Sequence, residues 1–275
     1  MRILLAKIFK QAFKLQFFRK RFYGIHQRIF KPYKLFKGVK CSIDYNGFTL
    51  DLKLDDWIQE NIFFLGEYEK AELGVLENHL KPGDTFLDLG ANLGVFTLHA
   101  SRIVGINGKV ISFEPFLTNY KALKKHAEVN HLTNVKIEKL AVGSESGRIT
   151  LYHDESEDNL GMVTANYVEN AVKEEVEVVS IDDYLLRAPS LTINFIKIDI
   201  EGFEYSTLLG LEQTLRKFYP KILIEILEGE DDGASKEKVE GFLTDLGYKK
   251  NFISDEGKLS ESPICLDRKN YLFSV

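Results

Sequence analysis

From Asp84 to the end of the chain, short apolar runs alternate with segments of helical period, and that alternation admits few folds. Strand-like runs lie near 84–89, 109–114 and 134–139, with helical stretches near 92–104 and 116–130 between them. Gly143 and Gly147 bracket a turn into a strand at 148–152; a strand at 174–179 and a short helix at 181–187 lead to 193-INFIKIDI-200. A helix at 203–218, the strand 221-KILIEIL-227, a helix at 235–246 and strands near 248–253 and 270–274 follow. Strands separated by helices pair in parallel through crossovers, so the expected fold class is α/β with a doubly wound, mainly parallel sheet.

Ahead of this core, 41-CSIDYNGFTLDLKL-54 alternates on both sides of Asn46-Gly47, the signature of a tight hairpin. Helical patterns at 56–63 and 68–80 end at Pro82-Gly83. The expected organisation is an arm at 1–40, a hairpin with helices at 41–80, and the core at 81–275. Residues 153–173 are polar and acidic with no period, a long loop and a lid candidate.

The net charge of −5 divides unevenly along the 275 residues. Residues 1–40 hold twelve Lys/Arg and no Asp or Glu, so they carry +12 and the remaining 235 carry −17. A basic arm on an acidic body points to an anionic partner, membrane or nucleic acid. Residues 3–17 read as one amphipathic helix. Leu4, Leu5, Ile8, Phe9, Ala12 and Phe13 recur at helical spacing, with Lys7, Lys10 and Lys14 on the opposite side. Such a helix either docks on the core or lies on a membrane surface. Nucleic acid suits the interleaved aromatics, but a body at −17 is a poor surface for a polyanion. Cys41 and Cys265 are the only cysteines, which fits a reducing compartment and gives no zinc or disulfide framework. No apolar run approaches the roughly 18–20 residues of a membrane span, and no secretory leader is read at the start. The expected location is cytoplasmic, soluble or peripheral at the inner face of a membrane.

The stretch 85-TFLDLGANLGVF-96 ends a strand at Asp88 and turns through Gly90 and Gly94 into a helix. The next strand ends in 113-FEP-115, which places Glu114 twenty residues after Gly94. An acid there can accept both hydroxyls of a ribose, so an adenosine-type ligand is implied. A dinucleotide turn needs close backbone approach to a pyrophosphate; Asn92 occupies that space and Asp88 would repel a phosphate. S-adenosylmethionine suits the turn better, with its ammonium toward Asp88 and its carboxylate toward the backbone N–H groups at the helix start. The second constellation is 195-FIKIDIEGFEYSTLLG-210, where Lys197, Asp199 and Glu201 alternate on a strand expected to be central. Charges buried there are costly unless paired or used. One reading is a structural Lys–Asp pair with Glu201-Gly202 entering a helix; the other is a reactive cluster beside the cofactor.

The motifs 84-DTFLDLGANLGVFTL-98, 112-SFEPFLTNYKALKKHAEVN-130, 140-LAVGSESG-147, 180-SIDDYL-185, 196-IKIDIEGFE-204 and 223-LIEI-226 occur in that order. In this the chain resembles the FkbM family of S-adenosylmethionine-dependent methyltransferases over about residues 65–226. The resemblance implies a class I methyltransferase (Rossmann-like) fold and O-methylation, commonly of sugar hydroxyls in glycans or of natural products. It implies that Asp88, Gly90, Asn92, Gly94 and Glu114 hold the cofactor, with Asn119 and the Ala141-Val142 turn near its ribose and adenine. It does not cover residues 1–40 or 153–173, and no histidine follows Glu225, where some relatives have one.

Methyl transfer to a hydroxyl needs alignment and a way to remove the proton. Asp199 is the candidate base or metal ligand, with Glu201 and Lys197 tuning it. Glu225, ending the next strand, either caps the sheet or joins Asp199 around a divalent cation. Of the histidines, 99, 126 and 131 read as structural or exposed, and His153 at the loop mouth is the one worth testing. The rivals to this reading are a NAD-dependent oxidoreductase, against which Asn92 and the lack of a Tyr-x-x-x-Lys stand, and a nucleic-acid-binding protein or RNA methyltransferase that uses the basic arm.

Overall fold

Asn46 at φ 53° and Gly47 at φ 82° supply the two left-handed residues that a two-residue hairpin turn requires. Around them, β1 (Lys40–Tyr45) and β2 (Phe48–Lys53) pair antiparallel with Tyr45 opposite Phe48. The computed structural model describes residues 1–153, 163–164, 172–200, 202–226, 236–263 and 269–275. The chain divides into two compact units, one mainly Met1–Tyr68 and the other mainly Glu69–Tyr152 with Lys173–Val275.

In the first unit the hairpin is preceded by α1 (Arg2–Ala12), α2 (Gln16–Arg19), α3 (Phe22–Ile25) and a π-helical turn at His26–Phe30, and is followed by α4 (Trp57–Leu65). Asp56 caps α4 by accepting the Gln59 N–H at 2.9 Å. The expected continuous helix at 3–17 breaks after Ala12, although no glycine or proline marks the break. Packing decides it. The turn lets Phe13 and Phe22 meet at 5.1 Å, and Phe30, Phe36 and Phe64 join the same cluster. Such edge-to-face pairs add about 0.5–1.5 kcal/mol each beyond their burial. Inside this cluster His26 Nδ1 lies 2.7 Å from Glu60 Oε2, both side chains nearly fully buried.

The second unit contains α5 (Lys70–His79), β3 (Thr85–Leu89), α6 (Val95–Val104), β4 (Lys109–Phe113), α7 (Leu117–Val129), β5 (Val135–Glu138), β6 (Ala141–Val142), β7 (Gly147–His153), β8 (Val163–Thr164) and β9 (Val172–Val179). It continues with α8 (Ile181–Leu186), β10 (Phe195–Ile198), α9 (Glu204–Leu209), α10 (Glu212–Phe218), β11 (Lys221–Glu225), α11 (Lys236–Asp245), β12 (Lys249–Ile253), β13 (Leu259–Ser260) and β14 (Asn270–Ser274). The eight-stranded sheet runs β13-β12-β14-β11-β10-β3-β4-β5. Strands β11, β10, β3, β4 and β5 are parallel, and β14, β12 and β13 add antiparallel at one side. This is the expected α/β fold with a mainly parallel sheet. Chain order runs outward from β3 through β4 and β5, then resumes on the other flank with β10 and β11. The topological switch, where open sheets bind ligands, therefore falls between β3 and β10.

Side chains divide by strand alternation. Leu87, Leu89, Ile111, Phe113, Ile196, Ile198, Ile222 and Ile224 belong to one fully packed core. The alternate positions Asp88, Ser112 and Lys197 are equally buried but polar. Strands β6, β9, β7 and β8 leave the main sheet as a separate four-stranded one. The helix expected at 203–218 is two helices parted at Gly210-Leu211, and position 210 is glycine where a Cβ would lie 2.1 Å from the Gly143 carbonyl oxygen. Asp182 caps the second one, accepting the N–H groups of Gln213 and Thr214 at 2.9 Å each. The lid expected at 153–173 lies mostly outside the described residues, and so does Glu201.

Candidate functional site

Strand β3 ends at Leu89, and the chain turns through residues 90–94 with three left-handed positions: Gly90 at φ 83°, Asn92 at φ 51° and Gly94 at φ 95°. Two of them are glycine for want of space as well as for φ. A Cβ on Gly90 would lie 1.8 Å from the carbonyl oxygen of Asp199, and one on Gly94 would lie 2.2 Å from Leu123 Cδ1. Gly90 thus lets the end of β10 lie against the turn, and Gly94 lets α7 pack on it. Asn92 is the side chain that best tolerates a left-handed backbone, and its Oδ1 accepts the Leu93 N–H at 2.7 Å.

Glu114, just past β4, reaches across to this turn. Its Oε2 accepts the Asn92 N–H at 2.7 Å and its Oε1 accepts the Phe116 N–H at 3.0 Å. Burial pushes the Glu114 carboxyl up to about 7; the two N–H groups oppose that rise, and the nearby Asp88 and Asp199 add to it. Asp88 is fully buried, and its Oδ2 accepts the Thr97 hydroxyl at 2.6 Å, which itself lies 2.7 Å from Ser112 Oγ. Asp88 Oδ1 has no hydrogen-bond partner among the described residues. Burial raises the Asp88 carboxyl, and the charge of Lys197 works against that rise.

Lys197 is buried on β10, with Nζ 2.7 Å from Asp199 Oδ2 and 4.5 Å from the centre of the Phe96 ring. Burial works against its charge, but Asp199, Glu69 and Asp88 outweigh it and hold the ammonium above the usual lysine range. The Asp199 side chain is 21% exposed, so the pair has one buried end and one reachable end. Asp199 donates its N–H to Leu89 O at 3.0 Å, which fastens it to the end of β3. The structure therefore brings Asp88, Gly90, Asn92, Gly94, Glu114, Lys197 and Asp199 together at the switch point.

The remaining candidates fall around this group. The register Ile198↔Ile224 puts Glu225 on β11 level with Asp199, and Glu225 itself faces Asn270 of β14. Among the described residues no group of three His, Cys, Asp or Glu is placed to hold a metal ion. Asn119 is buried in the first turn of α7, and the buried β6 pair Ala141-Val142 is held by Thr207 Oγ1 donating to Val142 O at 3.1 Å. His99 and His126 are structural: their Nδ1 atoms lie 2.8 Å from the carbonyls of Val95 and Leu93. His131 is exposed, and the His153 side chain lies outside the described residues. A cavity of about 930 Å³ lies elsewhere, against β4, β5 and α8, and contains none of the switch-point carboxylates. Chemistry rather than size marks the site.

Sequence reasoning passed over Thr97, Ser112 and Glu204. Glu204 is buried, its Oε1 accepts the Gly202 N–H at 3.0 Å, and burial raises its carboxyl. It stands within 196-IKIDIEGFE-204 and was legible as a second acid two residues past a glycine. Thr97 and Ser112 were not, since their bond depends on the register Asp88↔Ser112.

Asp88, Glu114 and Asp199 face a single buried cation, Lys197. A cationic ligand such as a sulfonium or an ammonium favours the charged form of the two carboxyls that burial raises, Asp88 and Glu114, whereas a pyrophosphate opposes it. The unpartnered Asp88 oxygen suits a positive donor, and the Glu114 carboxylate retains lone pairs for ribose hydroxyls. The residues present fit S-adenosylmethionine.

Residues 88–250, more than half the chain, match the family model for the Methyltransferase FkbM domain. The chain is 25% identical over 173 residues to "Methyltransferase 1" of Beauveria bassiana (strain ARSEF 2860), covering 56% of this chain and 69% of that one. It is 28% identical over 189 residues to "31-O-demethyl-FK506 methyltransferase FkbM" of Streptomyces tacrolimicus, covering 58% and 71%. A crystal structure of methyltransferase FkbM from Methylobacillus flagellatus KT is similar over 78% of this chain, at 15% identity and a TM-score of 0.46; this chain spans about half (52%) of that protein.

Proposed function

The chain belongs to the FkbM methyltransferase family, and from that premise we propose that it methylates a hydroxyl of a sugar in a glycan or glycolipid presented at an anionic membrane surface. The observation that carries the cofactor assignment is the Glu114 carboxylate bonded to the backbone of the glycine turn at Asn92. There it accepts ribose hydroxyls, while Asp88 offers its unpartnered oxygen to the ammonium. When bound, S-adenosylmethionine supplies a methyl carbon already activated by the sulfonium. The chain's own work is to orient the acceptor and take its proton.

Asp199 is the base in this reading. It is partly exposed, packed against Gly90 and fixed by the β3–β10 register. Lys197, kept charged in the core, donates to Asp199 Oδ2 at 2.7 Å and orients that side chain. Asp199 Oδ would take the acceptor hydroxyl's proton while the oxygen displaces the methyl carbon from the sulfonium, whose C–S bond breaks to leave a neutral thioether, and such general-base assistance contributes about 10²–10⁴-fold. Glu201 and Glu225 are the flanking acids of this proposal. A route in which Asp199 and Glu225 share a divalent cation predicts loss of activity on chelation; the base route predicts none.

The name of the Streptomyces tacrolimicus relative favours a second acceptor class, a hydroxyl of a natural product. Incubation with methyl-labelled S-adenosylmethionine and panels of glycolipids, free glycans, polyketide alcohols and RNA tests both. Label entering glycolipids or glycans supports the first, label entering the polyketide alcohols alone supports the second, and label entering RNA contradicts both.

A further inference from the structure

Of the sixteen large apolar side chains exposed among the described residues, nine lie within the first 33. They are not what the aromatic cluster left over at random. In α1, Leu4 and Ile8 are four apart on one side, 64% and 59% exposed, while Ala6 and Phe13, seven apart, are buried on the other. The expected stripe is thereby split: Phe9 and Phe13 pack inward, and Lys7 and Lys14 are exposed with Leu4 and Ile8 rather than opposite them. Past the helix, Leu15 and Phe17 are 60% exposed, and Phe18 meets Phe17 edge to face at 5.3 Å.

These rings are held out, not loose. Arg19 fixes α2 through Glu67 at 2.5 Å and the Leu65 carbonyl at 2.9 Å. The Arg21 guanidinium stacks 3.8 Å from the centre of the Phe17 ring and donates to the Phe17 carbonyl at 2.9 Å. We infer that this outer face docks on an anionic lipid bilayer, with Leu4, Ile8, Leu15, Phe17 and Phe18 entering the interface and the surrounding cations meeting the headgroups. The charge of +12 without an acid in residues 1–40 commits the partner to a negative surface. Aliphatic Leu4, Ile8 and Leu15 commit it to lipid over nucleic acid, whose bases need aromatic platforms to stack on. The inference deepens the reading of a membrane-presented acceptor, and vesicle binding reports on it independently of methyl transfer.

Co-flotation of the full-length protein with vesicles of phosphatidylglycerol and phosphatidylcholine, or phosphatidylcholine alone, tests it. The protein is expected to float with the anionic vesicles at low salt, to be released at high salt, and to ignore the neutral ones. Phe17→Ser with Phe18→Ser is expected to weaken binding roughly tenfold or more, with circular dichroism and S-adenosylmethionine affinity unchanged. Absence from anionic vesicles at low salt, binding untouched by the double substitution, or displacement by single-stranded RNA at matched charge would overturn the inference. Methyl transfer to a water-soluble acceptor stays intact in every one of these outcomes unless the enzymatic reading itself is wrong.

Discussion

The backbone N–H of Asn92 donates to Glu114 Oε2 at 2.7 Å, so the group a bound pyrophosphate would require is already engaged by a carboxylate. One contact thus fixes the orientation of the acid proposed to bind the ribose and leaves that N–H unavailable to a phosphate. Replacing Asn92 by glycine relaxes the φ 51° backbone but leaves that bond and the neighbouring Asp88 in place. Asn92→Gly is therefore expected to bind no NAD in a calorimetric titration; measurable NAD affinity would show that the side chain, not the carboxylates, had excluded it.

The position of Glu114 gives cofactor affinity a pH dependence. Its carboxyl is pushed up to about 7 in the free protein, while the form that accepts ribose hydroxyls and faces a cationic ligand is the carboxylate. Affinity should be full above that value and fall by about tenfold per pH unit below it, as deprotonation is charged against binding. The same rise makes the free protein lose stability as pH climbs from the ordinary glutamate range toward 7. Titrations from pH 5.5 to 8.5 check the slope, and affinity that is flat across this range would mean Glu114 does not titrate there.

Gly90→Ala tests how tightly the turn and β10 are joined. Its Cβ would meet the Asp199 carbonyl oxygen, a backbone atom that cannot swing away, at a φ of 83° that alanine disfavours. The expected outcome is a loss of roughly 2 kcal/mol or more with cofactor binding abolished, read by urea unfolding and calorimetry. Wild-type stability would mean Asp199 is free to move from the turn.

In the first unit, Glu60 is buried against His26 within an aromatic cluster. Glu60→Ala leaves the imidazole without its partner and is expected to cost about 2–4 kcal/mol, visible as a lower-temperature unfolding transition. An unchanged transition would show that the aromatic rings alone hold this unit together.

Much of this was legible in the chain itself. The period changes at Asp84 placed β3, β4, β5, β10 and β11 within a few residues, because each is a short run with apolar residues at every second position, set between helical stretches. The glycines at 90 and 94 marked the switch point because left-handed backbone calls for them, and the acid at 114 marked it by standing just past the neighbouring strand. What escaped were features that depend on a neighbour distant in sequence. Gly210 must be glycine where the two helices part because Gly143 passes close by, and α1 stops at Ala12 where Phe13 turns to meet Phe22. Periodicity likewise saw one apolar stripe in the arm where packing makes two, with Ala6 and Phe13 facing in and Leu4 and Ile8 facing out.

The proton's exit is tested by two substitutions together. Asp199→Asn is expected to lower turnover by about 10²–10⁴-fold with cofactor affinity nearly unchanged, and Lys197→Met to lower it through the loss of the ammonium bonded to Asp199 at 2.7 Å. Chelators are expected to have no effect. Inhibition by chelation, restored by magnesium and matched by Glu225→Gln, would replace the base with a metal.

The central claim is that the switch-point carboxylates form a site for S-adenosylmethionine, and calorimetric titration of the wild type and Glu114→Ala measures it most directly. Saturable binding of S-adenosylmethionine and of its demethylated product is expected, no heat with NAD, and a loss of about 1.5–3 kcal/mol in the variant from the missing charge-assisted hydrogen bonds. Tight NAD binding, or equal S-adenosylmethionine affinity in wild type and Glu114→Ala, would contradict it.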